Sequence, residues 1–185
     1  AAGGCGMSGE DELILVDLLD RETGTAGKMR CHEEGLLHRA FSVFLVHGDE
    51  ILLQRRAKGK YHSGGLWTNS CCSHPRQGES LPRAVERRLS EELGVTGVDC
   101  EEVGSFVYRQ AFENGIVEFE YDHVFVGFYD GQVEPDPEEA DAVAWVALGD
   151  VLADLQSRPE RYSSWFMTAA PLVAAWLDQL IGMAR

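Results

Sequence analysis

Nine consecutive residues carry the most structural information in this chain: Trp67-Thr68-Asn69-Ser70-Cys71-Cys72-Ser73-His74-Pro75. They place thiols close to an imidazole, and Pro75 prevents a helix from forming across these groups. Each side chain therefore lies on a non-helical backbone and can face a different partner. A thiol can transfer protons or attack an electrophile, whereas an imidazole can bind a metal ion. The rest of the sequence decides which of these chemistries applies.

Composition limits the classes of protein to consider. The chain has 185 residues, 44% of them hydrophobic, which suits one domain with a core of its own. We expect residues 1–9 to form a flexible leader and residues 10–185 to form a single domain. Residues 1–9 lack a signal-peptide pattern, and the chain has no uninterrupted apolar run of about 18 residues. We therefore expect a cytoplasmic, monomeric protein without a membrane span.

Charge and cysteine content argue against two further classes. Five cysteines, at positions 5, 31, 71, 72 and 100, form an odd set without a CxxC pair, which argues against a disulfide framework. The formal net charge of −15 disfavours binding to nucleic acid. A small anionic substrate is compatible with this charge, because a local group of bases can reverse the sign of the potential in a cleft.

Basic residues are concentrated around the Cys72 segment and on the helix that follows it. Lys and Arg side chains suit phosphate oxygens, although Arg83 and Arg87 are expected to be simply solvated. The group contains eight of the 16 basic residues: Lys28, Arg55, Arg56, Lys58, Lys60, Arg83, Arg87 and Arg88.

Periodicity and turn residues predict an α+β chain without repeats. The residues that follow the first strand, through Gly24 and Gly27, are predicted to form a polar turn. Residues 130–141 are predicted to form a surface loop. The C-terminal helices are expected to break at Pro159 and Pro171. The predicted strands are residues 12–17, 40–46, 50–55, 106–111, 116–127 and 143–148, and the central helix is residues 81–93, with Ser80 able to cap it and Gly94 just past its end.

The central helix carries charged residues on its apolar side. At about 100° per residue, Arg88 and Glu92 share the face of Val85 and Leu89. Charges on a buried face cost free energy unless they are paired or bind a ligand. Arg88 and Glu92 therefore either form an internal i,i+4 ion pair or leave Glu92 as a metal ligand.

Strand alternation places three carboxylates, those of Glu118, Glu120 and Asp122, on one face. Such a row is usually a solvated strand face, but like charges this close require a cation if the face is enclosed. Glu118 and Glu120 are then oxygen ligands, and either can hold a proton for acid–base chemistry. Three imidazoles extend this into a nitrogen and oxygen ligand set suited to Mn, Mg, Fe or Zn, namely those of His32, His38 and His74.

Three segments together resemble one known family. The residues 67–75, Glu91-Glu92-Leu93-Gly94 and Glu118-Phe119-Glu120 are similar to type 1 isopentenyl-diphosphate isomerases, members of the Nudix fold superfamily. The similarity extends from about Lys28 to Trp165. It implies a Nudix-type α/β/α sandwich with a mixed β-sheet. It also implies the conversion of isopentenyl diphosphate to dimethylallyl diphosphate in isoprenoid biosynthesis.

A Nudix diphosphate hydrolase is the alternative enzyme. Its pattern, G-x5-E-x7-R-E-U-x-E-E-x-G-U with U aliphatic, fails at two positions, where Ser73 replaces the leading Gly and Arg88 replaces a Glu that helps to bind catalytic metal. The second departure points away from hydrolysis. Two other hypotheses are a metal-stabilised interaction module, although structural zinc sites rely on thiolates, and a cysteine hydrolase, for which no triad partner is identifiable.

The resemblance also implies a role for each candidate site residue. It makes Cys72 the catalytic cysteine, Glu120 with Tyr108 the acid on the other side of the substrate, and Trp165 the aromatic partner of a carbocation. It implies one tightly bound Mn²⁺, Mg²⁺ or Zn²⁺ and a second ion, Mg²⁺, that arrives with the substrate diphosphate on Glu92. The implied ligands of the tight ion are His32, His38, His74, Glu118 and Glu120, and the implied diphosphate-binding residues are Lys28, Arg56, Lys60 and Arg88.

Overall fold

A nine-stranded sheet organises the computed structural model of the protein, which describes residues 11–183. The predicted leader at residues 1–9 lies outside the described residues. The elements in chain order are β1 (Glu12–Val16), β2 (Glu22–Gly27), α1 (Lys28–Glu34), β3 (His38–His47), β4 (Glu50–Arg56), β5 (Trp67–Thr68), β6 (Cys71–Ser73), α2 (Leu81–Leu93), β7 (Cys100–Ala111), β8 (Val117–Phe128), β9 (Ala140–Ala147), α3 (Leu148–Ser157), a 3₁₀ turn (Pro159–Arg161) and α4 (Phe166–Met183).

Strand β3 connects the two halves of the sheet. It runs antiparallel to β1, β4 and β6 and parallel to β8. The parallel ladder places His38 opposite Glu120 at one end and Val46 opposite Phe128 at the other. Strand β7 runs antiparallel to β8 and places Tyr108 opposite Glu120. The sheet is therefore mixed, as predicted.

Helices cover both faces of the sheet because its central strands are apolar on both sides. Val43 and Leu45 of β3 pack with the buried face of α2. Phe44 and Val46 point to the opposite face and pack with buried residues of α3 and α4. The arrangement confirms the predicted α+β fold, an α/β/α sandwich.

Helix α2 begins and ends where the sequence predicts. Pro82 lies in its first turn, although the hydroxyl of Ser80 makes no capping hydrogen bond. Gly94 ends the helix at a φ of 64°, a left-handed conformation that favours glycine. The Gly94 N–H donates to the carbonyl oxygen of Ser90 at 3.0 Å, and the Val95 N–H donates to that of Leu89 at 3.1 Å. These ends fix the position of the charged residues on the helix.

The predicted polar turn through Gly24 and Gly27 is too long: the turn follows β1 at residues 18–19, and residues 22–27 form strand β2. They pair with β1 along their length, and the ladder outweighs the low strand propensity of a segment with two glycines. The sequence analysis also missed helix α1, which follows directly and ends at Gly35 with a φ of 65°. This short helix carries Cys31 and His32 into the interior, where both are buried.

Two boundaries near the C-terminus also differ from the prediction. Strand β9 begins at Ala140 rather than at residue 143, because Arg56 of β4 pairs with it there. Helix α4 continues through Pro171, where a break was expected, whereas the break at Pro159 is confirmed. Ala169, Ala170 and Val173 are fully buried on both sides of the proline. Their packing outweighs the hydrogen bond that proline cannot make.

Helix α4 has the length and composition of a membrane span, with 18 residues and a mean hydropathy of 1.3. Its first half packs into the larger core through Phe166, Ala169, Ala170 and Val173. Core helices of folded domains pass the same test, so the finding is weak evidence for a membrane.

We predict that Phe44→Ala lowers the free energy of unfolding by about 3–5 kcal/mol, because Phe44 is fully buried and stacks on Phe166 at 5.8 Å between ring centroids. The matched control is Phe128→Ala on the neighbouring strand β8, whose side chain is 57% exposed and whose loss should change stability by about 0.5 kcal/mol or less. Urea denaturation of the two variants measures the difference. Equal destabilisation would contradict the assignment of Phe44 to the core.

Candidate active site

A cavity beside strands β6, β7 and β8 brings the predicted site residues together. His32 and His38 lie directly beside it and are fully buried. No predicted site residue is placed elsewhere. The predicted residues that line the cavity are Lys28, Arg56, Lys60, Cys72, His74, Arg88, Glu92, Tyr108, Glu118, Glu120 and Trp165.

Four of the predicted metal ligands form one compact group. The ligand atoms of His32, His38, His74 and Glu120 all lie within 4.8 Å of one another. Glu120 Oε1 is 2.8 Å from His74 Nε2 and 3.3 Å from His38 Nε2. Two ligands at right angles on one ion, with bonds of about 2.1 Å, are separated by about 3.0 Å, so these spacings suit a shared cation.

The orientation of two imidazoles also suits a metal. Nδ1 of His32 donates to the carbonyl oxygen of Lys28 at 2.6 Å, and Nδ1 of His38 donates to that of Leu36 at 2.8 Å. A carbonyl oxygen only accepts, so each ring carries its proton on Nδ1 and its Nε2 is an acceptor. The Nε2 of His32 lies 3.4 Å from the Tyr61 hydroxyl, whereas His38 Nε2 is buried and makes no hydrogen bond. A buried nitrogen without a hydrogen-bond partner is suited to bind a metal ion, and the residues present therefore fit a divalent cation.

The protonation of the imidazoles and carboxylates follows from burial and proximity. Burial lowers the pKa of His32 to about 4 and that of His74 to about 3, so both rings are neutral, the metal-binding form, at pH 7. Burial alone would raise the pKa of Glu120, but contacts with His38 and His74 outweigh it and hold the pKa well below its usual range. Burial and the nearby Glu120 charge raise the pKa of Glu118. Two like charges this close favour a cation between them.

Cys72 lies on strand β6 of the sheet and contacts Trp165. Its Sγ is 3.2 Å from both the Trp165 indole nitrogen and Asn69 Oδ1. In the β3–β6 ladder Cys72 stands opposite Ser42, whose hydroxyl donates to Asp122 Oδ2 at 2.8 Å. Burial, reinforced by the Asp122 carboxylate, raises the pKa of the Cys72 thiol to about 12. Cys71 points the other way, into the core under α2.

Tyr108 and Glu120 form a hydrogen-bonded pair on the neighbouring strands β7 and β8. The Tyr108 hydroxyl donates to Glu120 Oε2 at 3.0 Å. Oε1 of the same carboxylate contacts the histidine group, so Glu120 belongs to both the proposed metal ligands and the candidate acid–base pair. Its position depends on the register of both ladders described above.

The predicted diphosphate-binding residues line the same cavity. Lys60 Nζ lies 2.6 Å from Glu139 Oε2, and Arg88 contacts Glu139 at 3.4 Å. Burial and the nearby Lys60 charge lower the pKa of Lys28. A half-buried ammonium group next to further cations is suited to bind an anion.

Arg88 and Glu92 form the predicted i,i+4 ion pair on α2. Only Oε1 of Glu92 contacts Arg88, whereas Oε2 is buried without a hydrogen-bond partner. The carboxylate can therefore bind a cation while it remains paired. Both interpretations of this helix face are compatible with the structure. By contrast, Arg87 does not line the cavity. The expectation that it is solvated is wrong, because its side chain is 19% exposed and forms a bidentate pair with Glu79 through two contacts of 2.8 Å.

Four residues of the site were missed by the sequence analysis. Asn69 accepts hydrogen bonds from Trp165, Cys72 and Thr68, and Asp122 is buried beside Ser42. The carboxylates of Glu118, Glu120 and Asp122 alternate along β8, which is the signal that could have added Asp122 to the site. Nothing in the local pattern identified the other two, Glu139 in a segment predicted as a surface loop and His62 in the loop before β5.

Sequence comparison with known proteins identifies the family. A model of the NUDIX domain family matches residues 36–166. The chain is 50% identical over 175 residues to Isopentenyl-diphosphate Delta-isomerase 2 of Aromatoleum aromaticum, covering 93% of this chain and 87% of that protein. It is 49% identical over 158 residues to Isopentenyl-diphosphate Delta-isomerase of Burkholderia multivorans, covering 85% of this chain and 89% of that protein.

Solved structures with low sequence identity have the same fold. A crystal structure of a Deinococcus radiodurans protein superimposes with a TM-score of 0.72 at 18% identity, covering 87% of this chain and 98% of that chain. A MutT NUDIX hydrolase from Burkholderia pseudomallei superimposes with a TM-score of 0.61 at 22% identity, covering 74% of this chain and 98% of that chain. These likenesses establish the fold alone. The closer sequence relatives establish more, and the chain belongs to the isopentenyl-diphosphate Delta-isomerase family, built on the NUDIX fold.

Proposed function

We propose that this protein converts isopentenyl diphosphate to dimethylallyl diphosphate, adding a proton at one carbon and removing one from another. The observation that carries the proposal is the meeting of Cys72 and the Tyr108–Glu120 pair at one cavity, with the Trp165 indole against the thiol. Two proton-transfer groups beside an aromatic ring are what an alkene isomerisation requires.

The chemistry of the substrate explains this requirement. An unactivated alkene is a very weak base, and its protonation gives a tertiary carbocation. The site therefore needs a positioned acid, a base, exclusion of water and a source of electron density. Each positioned proton-transfer group typically contributes about 10²–10⁴-fold to the rate. An indole face contributes about 0.5–2 kcal/mol to the stability of a nearby cation.

Trp165 is suited to supply electron density to the carbocation. It is only 3% exposed and donates from its indole nitrogen to Asn69 Oδ1 at 3.1 Å, so its orientation is fixed. The Arg56 guanidinium lies 5.3 Å from the ring centroid, and this shows that the ring already accommodates a cation. Together with His62 and Tyr108, the indole gives this part of the cavity an aromatic lining.

We propose that the basic residues of the cavity hold the diphosphate. Lys28, Arg56, Lys60 and Arg88 neutralise its charge, so that it does not leave as the carbocation forms. The site also suits two divalent cations. We propose one tight Mn²⁺, Mg²⁺ or Zn²⁺ on the histidine group with Glu118 and Glu120, and a Mg²⁺ held with the diphosphate by Glu92. These ions supply charge neutralisation and fix the geometry of the site when bound.

Arg88 also disfavours hydrolysis of the diphosphate. Arg88 occupies the position at which the hydrolase pattern has a metal-binding Glu, and it pairs with Glu92 and contacts Glu139. A cation at this position removes one ligand needed to bind catalytic metal and activate water. We still predict that the enzyme is monomeric and cytoplasmic and that it binds neither membrane nor nucleic acid.

Proton NMR of isopentenyl diphosphate incubated with the protein and Mg²⁺ in D₂O tests the proposed reaction. We expect dimethylallyl diphosphate to appear with deuterium incorporation and without release of phosphate. Phosphate release without movement of the double bond would instead support a hydrolase. An unchanged spectrum with metal-loaded, folded protein would contradict both.

We predict that Cys72→Ala lowers turnover by about 10²–10⁴-fold, whereas Cys71→Ala retains most of the activity. The two substitutions remove the same atoms from adjacent residues, but only Cys72 faces the cavity, while Cys71 lies in the core under α2. Turnover and far-UV circular dichroism are measured for both variants. Equal losses in two folded proteins would count against Cys72.

We predict two separable metal requirements. His38→Ala or His74→Ala should lose the tight ion, because each removes a member of the compact ligand group. Glu92→Gln should retain that ion and weaken Mg²⁺-dependent binding of the diphosphate by about tenfold or more. Metal analysis of the purified variants and substrate titration at several Mg²⁺ concentrations check this. Loss of the tight ion from Glu92→Gln would refute the two-site assignment.

We predict that Trp165→Phe keeps partial activity and that Trp165→Leu loses much more. Both variants lose the indole hydrogen bonds to Asn69 and Cys72, so the difference between them isolates the aromatic face. Melting temperature and turnover are measured for each. If activity follows only the folded fraction, or if Trp165→Leu is fully active, the ring has a packing role and no part in the reaction.

A further inference from the structure

We propose that Glu139 determines the specificity of the site, which selects a diphosphate complexed with Mg²⁺ over the metal-free anion. The inference deepens the proposed function and rests on its diphosphate site. Its basis is a carboxylate among bases. Glu139 lines the same cavity as the four predicted diphosphate-binding residues and contacts two of them.

Glu139 pairs with two of the bases that we propose to hold the diphosphate. Its Oε2 lies 2.6 Å from Lys60 Nζ, and its Oε1 lies 3.4 Å from Arg88 Nη2. The Glu139 side chain is 26% exposed, so the solvent screens these contacts only in part. Burial alone would raise the pKa of Glu139, but the contact with Lys60 outweighs it and lowers the pKa, so the carboxylate is ionised at pH 7.

The other two bases face aromatic rings. Lys28 Nζ lies 5.2 Å from the centroid of the Tyr61 ring, and the Arg56 guanidinium lies 5.3 Å from that of Trp165. A ring face attracts a cation but does not cancel its charge. Because Glu139 offsets charge on Lys60 and Arg88, the net positive charge available to an anion is smaller than the number of bases suggests.

Backbone hydrogen bonds hold Glu139 in this position. Its carbonyl oxygen accepts from the Ala57 N–H at 3.0 Å, just after β4, and its own N–H donates to the carbonyl oxygen of Asp136 at 3.0 Å. The Asp136 N–H donates to the carbonyl oxygen of Glu92 at 2.8 Å, which connects this segment to α2. The carboxylate is therefore a fixed part of the cavity, although the sequence places it in a predicted surface loop.

Glu139 and Glu92 share one guanidinium nitrogen. Arg88 Nη2 contacts Glu92 Oε1 and, at 3.4 Å, Glu139 Oε1. The second oxygen of Glu92 is buried without a hydrogen-bond partner. Two carboxylates that meet at a single cation attract a further cation and repel an anion that arrives without one.

The charge of the incoming group decides how strongly Glu139 opposes its binding. A phosphate monoester carries a charge of about −1.5 to −2 at pH 7, and a diphosphate ester carries more. Mg²⁺ cancels most of that charge, so the Glu139 carboxylate opposes the complex much less than the metal-free anion. Glu139 therefore couples the binding of the diphosphate to that of Mg²⁺.

Calorimetric titration of the purified protein with inorganic pyrophosphate measures this coupling. The readout is the dissociation constant without added Mg²⁺ divided by that in saturating Mg²⁺. We expect Glu139→Gln to tighten metal-free binding and to lower this ratio by about tenfold, within the roughly 5–150-fold typical of coupled sites. Glu139→Asp keeps the charge and should keep the ratio close to that of the wild-type protein.

The matched control is Glu138→Gln, which removes the same charge from an exposed neighbour that does not line the cavity and should leave the ratio unchanged. If Glu139→Gln weakens binding equally in both titrations, Glu139 only positions Lys60 and Arg88, and the proposal is overturned. An equal effect of Glu138→Gln would assign the change to the overall charge and overturn it as well. Failure of pyrophosphate to bind the wild-type protein in Mg²⁺ would refute the diphosphate site itself, whereas normal binding with an unchanged ratio would overturn this inference alone.

Discussion

The register of the parallel ladder between β3 and β8 is the constraint on which the whole site depends. It places His38 opposite Glu120, and the antiparallel ladder on the other edge of β8 places Tyr108 opposite the same carboxylate. Glu120 therefore lies between the His38 imidazole and the Tyr108 phenol. Because side chains alternate along a strand, a slip of one residue would turn Glu118 and Glu120 to the other face of the sheet.

The interior of the site is a balance of opposite charges within an acidic protein. Three carboxylates are buried along β8, and the imidazoles beside them contact two of these carboxylates with nitrogens that could hold a metal ion. In the same cavity, Lys60 and Arg88 both contact Glu139. The net charge of −15 thus coexists with a local group of four bases in the cleft, namely Lys28, Arg56, Lys60 and Arg88. On the proposed function, a bound diphosphate exchanges these internal ion pairs for phosphate contacts.

Secondary structure was predictable where local patterns agree with the fold. Helix α2 has a proline at its start, an apolar stripe and Gly94 at its end, and its limits match the prediction. The predicted strands at residues 106–111 and 116–127 were equally clear and pair as β7 and β8. Strand β2 and helix α1 were missed because neither has strong periodicity and both are stabilised by pairing and burial against distant segments. The same applies to α4, where core packing outweighs the break expected at Pro171.

The sequence by itself determined the face of β8 that carries Glu118 and Glu120 and the limits of helix α2, since alternation and helix ends depend on short-range geometry. The family resemblance, through the spacing to His74, separated Cys72 from Cys71. Only the tertiary structure decided that His62, from a loop without periodicity, lies against Glu118 from a strand far along the chain. Local sterics set the period of a segment, but the distance between remote side chains depends on the register and packing of the complete sheet.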